Sequence, residues 1–259
     1  GCHRAGPQRI VNPVGTKKWI AETGGEMSTR DKLAQLVAMI EFQLRVLPAQ
    51  LRWRLGLGHP RSLRLDLETV RSPDSPVCSK AAALCAKVSS PRLANHCFRS
   101  YLWARILAAQ DGIAFDDELL HVACMLHDLG LTETYRPGPA IHCFSIASAK
   151  AARAEIEDWD AARQDVLEEA ILLHLNTCVD LVRGPEAHLL NAATALDVAA
   201  VRIWDMPAAA ITHVTSRYPR LDFCACFPAD WTAEARARPH SRAAFLSRFA
   251  QFERRSKQR

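Results

Sequence analysis

The chain has 259 residues, of which 49% are hydrophobic, 24% charged and 7% aromatic, with a formal net charge of +5. This is ordinary globular usage with material for a sizeable core, and it excludes a disordered, fibrous or low-complexity protein. The charge is uneven, at +6 over residues 1–72, −7 over 73–230 and +6 over 231–259, an acidic body with basic ends that is not read as a nucleic-acid protein.

Residues 1–26 mix Gly, Pro and basic side chains without a sustained period, and are expected to lie outside the fold as a disordered or added extension. Ser28-Thr29-Arg30-Asp31 reads as a helix cap. From Lys32 to Leu57 the apolar residues Leu33, Leu36, Val37, Ile40, Leu44, Leu47 and Leu51 recur at threes and fours, with Pro48 predicted to break the helix. The basic residues Arg45, Arg52 and Arg54 beside Trp53 would suit a membrane surface. Packing of the apolar face on the main domain is the commoner use, and is the expectation here.

Ser72-Pro73-Asp74-Ser75-Pro76 is a turn-rich linker. Helices are predicted over Val77–Val88, Arg92–Gln110, Asp116–Leu129, Phe144–Glu157, Ala161–Asn176 and Pro185–Trp204, with another near the C-terminus. The fold class is therefore all-α. The expected organisation is an extension at 1–26, a helical segment and linker at 27–74, a main helical domain at 75–230, and a basic, solvated helix or tail at 231–259.

Nine cysteines, Cys2 among them, are scattered through apolar segments and are expected reduced and mostly buried. The pair Cys224 and Cys226 lacks a second Cys/His pair at zinc-finger spacing. No stretch of 18 uncharged apolar residues exists to span a membrane. With many thiols and no signal peptide at the start, the expected location is cytoplasmic.

The chemistry lies in a subset of the ten histidines. Asn95-His96 is followed one turn later by Arg99, on the same helical face. The apolar helix through Leu119, Leu120, Val122, Ala123, Met125 and Leu126 ends in His127-Asp128-Leu129-Gly130, where Gly130 is expected to supply a left-handed turn. Asp197 stands alone in the apolar run Leu189 to Val201. Carboxylates in such surroundings lose several kcal/mol of hydration unless partnered, and a divalent cation is the natural partner. Two imidazoles and two carboxylates suit Zn, Fe, Mn, Co or Ni with positions left for water and substrate.

The ordered pattern His96, then His127-Asp128, then Asp197 on an all-α background resembles the HD-domain superfamily of metal-dependent hydrolases, over roughly Ser75 to Met206. The resemblance implies an HD-domain helical bundle, with His96, His127, Asp128 and Asp197 holding one divalent transition metal, Zn or Fe foremost. The stretches Asn95 to Tyr101 and Ala123 to Thr132 look most like its cyanamide hydratase branch. That branch usually carries Arg-Phe-Glu where this chain reads Cys143-Phe144-Ser145, which puts cyanamide itself in doubt as substrate. The resemblance implies a pocket-lining role for His174, whose near-neutral pKa would suit general acid/base work beside Asp128. Arg99, Asn95 and His142 are the expected substrate contacts, although Arg99 would equally serve to orient Asp128.

The resulting expectation is a metal-dependent hydrolase using activated water on a small molecule, by nitrile or C–N hydration or hydrolysis. A nucleotide or phosphomonoester phosphohydrolase is the second reading, favoured if Arg99 faces the pocket. A non-catalytic small-molecule binding domain is the third. Assembly into a homo-oligomer is left open, and neither nucleic acid nor a membrane span is expected.

Overall fold

In the computed structural model, residues 14–250 are described, apart from positions 59, 61, 64 and 139. Cys2, the first half of the expected N-terminal extension and the tail at 251–259 lie outside the described residues. The described residues form eleven α-helices joined by turns and short 3₁₀ segments, with no strand among them, as the all-α reading requires.

The N-terminal residues correct the sequence reading. Helix α1 (Lys17–Thr23) starts on the Thr16 side chain, which accepts from Trp19 N, and ends on Gly24 with φ of 66°. Val14, Trp19 and Met27 are buried with Phe245 in a small core of their own, and Lys17 Nζ pairs with Asp165 at 2.7 Å and Glu168 at 3.0 Å. Residues 14–26 therefore belong to the fold, because Trp19 supplies an apolar anchor that composition alone understates.

Helix α2 (Thr29–Arg54) opens with the reciprocal capping box of Ser28 and Asp31. It runs unbroken through Pro48, so the predicted break is absent. More consequential is its orientation, since Gln35 is its one fully buried residue, while Leu33, Val37, Ile40, Leu44, Leu47 and Leu51 are exposed. The apolar stripe does not pack on the main domain.

The main domain follows as α3 (Pro76–Val88), α4 (Pro91–Asp111), α5 (Asp117–Leu126), α6 (Phe144–Glu155), α7 (Ala161–Leu173) and α8 (Pro185–Ala199). Proline at the first turn of α3, α4 and α8 uses a position where no backbone donor is needed. Asp116 and Asp160 cap α5 and α7 with their carboxylates. The long helix α4 is buried along most of its length, and packs on α3, α5, α8 and α9.

Three helices complete the chain: α9 (Ala208–Arg217), α10 (Phe223–Ala237) and α11 (Arg242–Ala250). The expected solvated tail is instead partly core. Trp231 is buried, and Arg242 is 2% exposed, donating to Leu172 O, Asn176 Oδ1 and Ser145 Oγ. A boundary at 230/231 would cut α10.

Candidate metal centre

Two helix ends and the body of a third helix converge on a single point. His96 projects from α4, His127 and Asp128 follow the last turn of α5, and His174 follows the last turn of α7. One ligating atom from each of His96, His127 and Asp128 lies within 4.8 Å of the others, and all three residues are buried. His127 Nε2 is 3.3 Å from His96 Nε2 and 3.2 Å from Asp128 Oδ2, and His96 Nε2 is 3.6 Å from the same oxygen. His174 Nε2 approaches Asp128 Oδ1 at 3.6 Å.

The hydrogen bonds on the far side of each ring fix what faces the centre. His127 Nδ1 donates to Cys124 O at 2.8 Å, and His174 Nδ1 donates to Ile171 O at 2.6 Å. His96 Nδ1 donates to Asp197 Oδ2 at 2.7 Å. A neutral imidazole with its proton on Nδ1 presents a lone pair at Nε2. Acceptors therefore face acceptors across gaps of 3.2–3.6 Å, which only a shared cation or proton can satisfy. The donor set of two or three imidazoles and a carboxylate fits a divalent transition metal.

The electrostatics follow from burial and from this crowding. Burial opposes charge on Asp128, but His127, His96 and His174 outweigh it and hold its carboxyl well below the usual range. Burial likewise works against a proton on His127, and Asp128 overcomes it, so His127 is raised. His96 is lowered by burial, and His174 is pulled down by burial and by His127 to about 3.

Asp197 takes a different place from the one expected of a ligand. Its side chain is fully buried behind His96, on the Nδ1 side. Oδ1 accepts from Arg99 Nε at 2.8 Å and Trp103 Nε1 at 3.0 Å, while Oδ2 accepts from Arg99 Nη2 at 2.9 Å and from His96. With both oxygens engaged, the carboxylate fixes the tautomer and angle of His96 instead of reaching the centre.

The other expected contacts also move. Arg99 is completely buried, and Nη1 donates to Tyr218 O and Pro219 O, so this guanidinium serves Asp197 and does not face the cavity. Asn95 Nδ2 donates to Pro219 O at 2.8 Å, away from the centre. His142 is partly exposed and pairs with Glu26 at 3.2 Å. Gly130 is needed for a different reason from the one expected. It has no positive φ, but a Cβ there would lie 2.2 Å from Phe144 O.

A cavity of about 110 Å³ opens onto the cluster. Its walls are mainly apolar and include Met39 and Phe42 of α2, Val198 of α8, Phe227 and Trp231 of α10 and Leu246 of α11. Among the described residues that line it there is no lysine or arginine. Phe223 stacks on His96 at 5.1 Å between ring centroids, and Asn191 Nδ2 ties the turn after α7 by donating to His174 O and Asn176 O.

Sequence reasoning missed these wall residues because they come from four helices far apart in the chain, of which α2 was expected to turn its leucine stripe to the main domain and the stretch from residue 231 was read as a solvated tail. Trp103 was within reach, since it stands two turns after His96 on the same face of α4. Cys143 and Ser145 are buried, with Sγ and Oγ 3.1 Å apart. A guanidinium does stand beside Ser145, that of Arg242 from α11. Cys224 and Cys226 are half-buried, and Cys226 Sγ donates to Asp222.

No curated protein matches the chain. Residues 93–205 match the HD domain family, over a stretch that spans the His/Asp cluster and its supporting Asp197, from within α4 to the turn after α8.

Proposed function

We propose that the chain is a divalent-metal-dependent hydrolase that brings water to a small, uncharged molecule, by hydration or hydrolysis of a nitrile or related C–N bond. The observation that carries this reading is the set of acceptor atoms converging, without a donor between them, on a cavity with no lysine or arginine among the described residues that wall it. His96 Nε2, His127 Nε2 and Asp128 would hold the ion, zinc or iron foremost and manganese, cobalt or nickel as the alternatives, with Asp197 and Arg99 supporting His96 from behind. An ion held there supplies Lewis acidity and lowers the pKa of water toward neutrality.

The chain's own residues manage the protons. Asp128 Oδ1, 3.6 Å from His174 Nε2, accepts the proton that the attacking water loses. His174, neutral and anchored through its Nδ1 hydrogen, takes that proton at Nε2 and returns it to the developing nitrogen or oxygen. The apolar walls exclude bulk water and favour a substrate with an apolar body.

Phosphomonoester hydrolysis is the second reading, because HD domains are typically metal-dependent phosphohydrolases. Against it stand the full engagement of Arg99 and the lack of any lysine or arginine lining the cavity. Elemental analysis of the purified chain beside His127→Ala and Asp128→Ala tests the centre, with about one equivalent expected in the parent and little in either variant. Turnover of nitriles in preference to phosphomonoesters then supports the first reading. A folded parent that is metal-free and cannot be reloaded overturns both, and leaves a helical small-molecule binding domain.

A further inference from the structure

We propose that α2 is an interfacial helix that lies on an anionic membrane surface with its apolar seam in the headgroup and acyl-chain boundary. The seam is Leu33, Val37, Ile40, Leu44, Leu47 and Leu51, spaced alternately by four and three residues and exposed by 43–65%. At 1.5 Å per residue it runs for about 27 Å. A soluble monomer seldom leaves so continuous an apolar stripe uncovered. The opposite face of the helix is accounted for, since Met39, Phe42 and Gln43 wall the cavity.

Charge selects the occupant. At 100° per residue, Arg45 and Arg52 flank the seam on one side and Lys32 and Arg54 on the other. Among the described residues none of these four has an ion-pair partner. Asp31 and Glu41 are the acids of the helix; Asp31 is spent in the capping box, and Glu41 stands on the Arg45 and Arg52 flank, where two basic residues outnumber it. Two copies of this face would bring two net-basic flanks against each other, whereas phosphatidylserine headgroups neutralise them. The arginine stems can lie along the apolar boundary while the guanidinium groups reach the phosphates. The helix would lie flat, because no helix among the described residues is long and apolar enough to cross a membrane.

The test is co-sedimentation of the full chain with vesicles of phosphatidylcholine alone, and of phosphatidylcholine with about 30% phosphatidylserine. Binding is expected at least about tenfold stronger to the anionic vesicles, and largely reversed by about 0.5 M salt. Replacing Arg45 or Arg52 by Gln should weaken it about fivefold each. Ile40→Glu with Leu44→Glu should abolish it while leaving circular dichroism and bound metal unchanged, because both side chains point away from the core and the cavity. No sedimentation with anionic vesicles overturns the proposal. So does equal binding by the Ile40/Leu44 variant, or a dimer in light scattering that this variant dissolves.

Discussion

Asp197→Asn separates a ligand from a support more sharply than any other single change. In the structure Oδ1 of Asp197 accepts from Arg99 Nε and Trp103 Nε1, and Oδ2 accepts from Arg99 Nη2 and His96 Nδ1. Whichever way an amide is placed, its NH₂ group faces two donors, and the fully buried Arg99 loses its counter-charge. Breaking a buried ion pair from one side costs about 3–5 kcal/mol. At about 2–4 °C per kcal/mol for a chain of this size, the thermal midpoint should fall by roughly 10 °C. The Asp197 carboxyl is held far below its ordinary value, chiefly by His96 and Arg99 working against burial. A depressed carboxyl contributes stability above its unfolded pKa of about 3.9, so the loss should be the same at pH 5 as at pH 8. Zinc titration of the folded variant should show affinity reduced about 10–100-fold, as for a partner behind a ligand. The reasoning is refuted if thermal unfolding is unchanged while zinc binding disappears as completely as in Asp128→Ala.

Three other changes probe separate parts of the molecule. His174→Gln should keep the metal and lose about 10²–10⁴ in turnover; metal analysis and steady-state rates check this, and a loss below tenfold counts against a proton-carrying role. Burial pushes His121 down to about 4, so below about pH 6.5 the unfolded chain takes up a proton that the folded chain refuses. Stability should then fall by about 1.4 kcal/mol per unit of acidification from about pH 6.5 toward 4 through this residue, and urea unfolding of His121→Leu across that range should show a shallower decline. Gly130→Ala places a methyl against the Phe144 carbonyl, and should destabilise by about 1–3 kcal/mol while lowering metal affinity, because the turn carrying Asp128 must shift. A variant as stable and as well loaded as the parent would show that the contact yields.

The cluster was legible in the sequence for a physical reason. His127-Asp128 at the end of an apolar helix and His96 within another are costly without partners, and that cost marks them before any coordinates exist. The partners themselves were not legible. Arg99 and Asp197 stand 98 positions apart, and nothing local says that a guanidinium one turn from His96 is spent on that carboxylate and not on a ligand. The period of α2 was readable because it depends on spacing, but a period tells which residues share a face and not what the face meets. Trp231 and Arg242 were read as solvated because their neighbours are basic, yet arginine buries readily where carbonyl and hydroxyl oxygens receive it, as Leu172, Asn176 and Ser145 do here.

The first and last described helices meet beside the cavity. Val14, Trp19 and Met27 share a small core with Phe245, Met27 N donates to His240 O, and Asn176 Nδ2 donates to Val14 O. This closure has a temporal consequence during synthesis from the N-terminus. All three ligating residues of the donor cluster have been made once residue 128 is added, and His174 comes next, whereas the walls from Phe227, Trp231 and Leu246 follow more than fifty residues later. The donor cluster is thus complete while the α10 and α11 side of its cover is still unmade, and a cation can enter on the side that these helices afterwards wall.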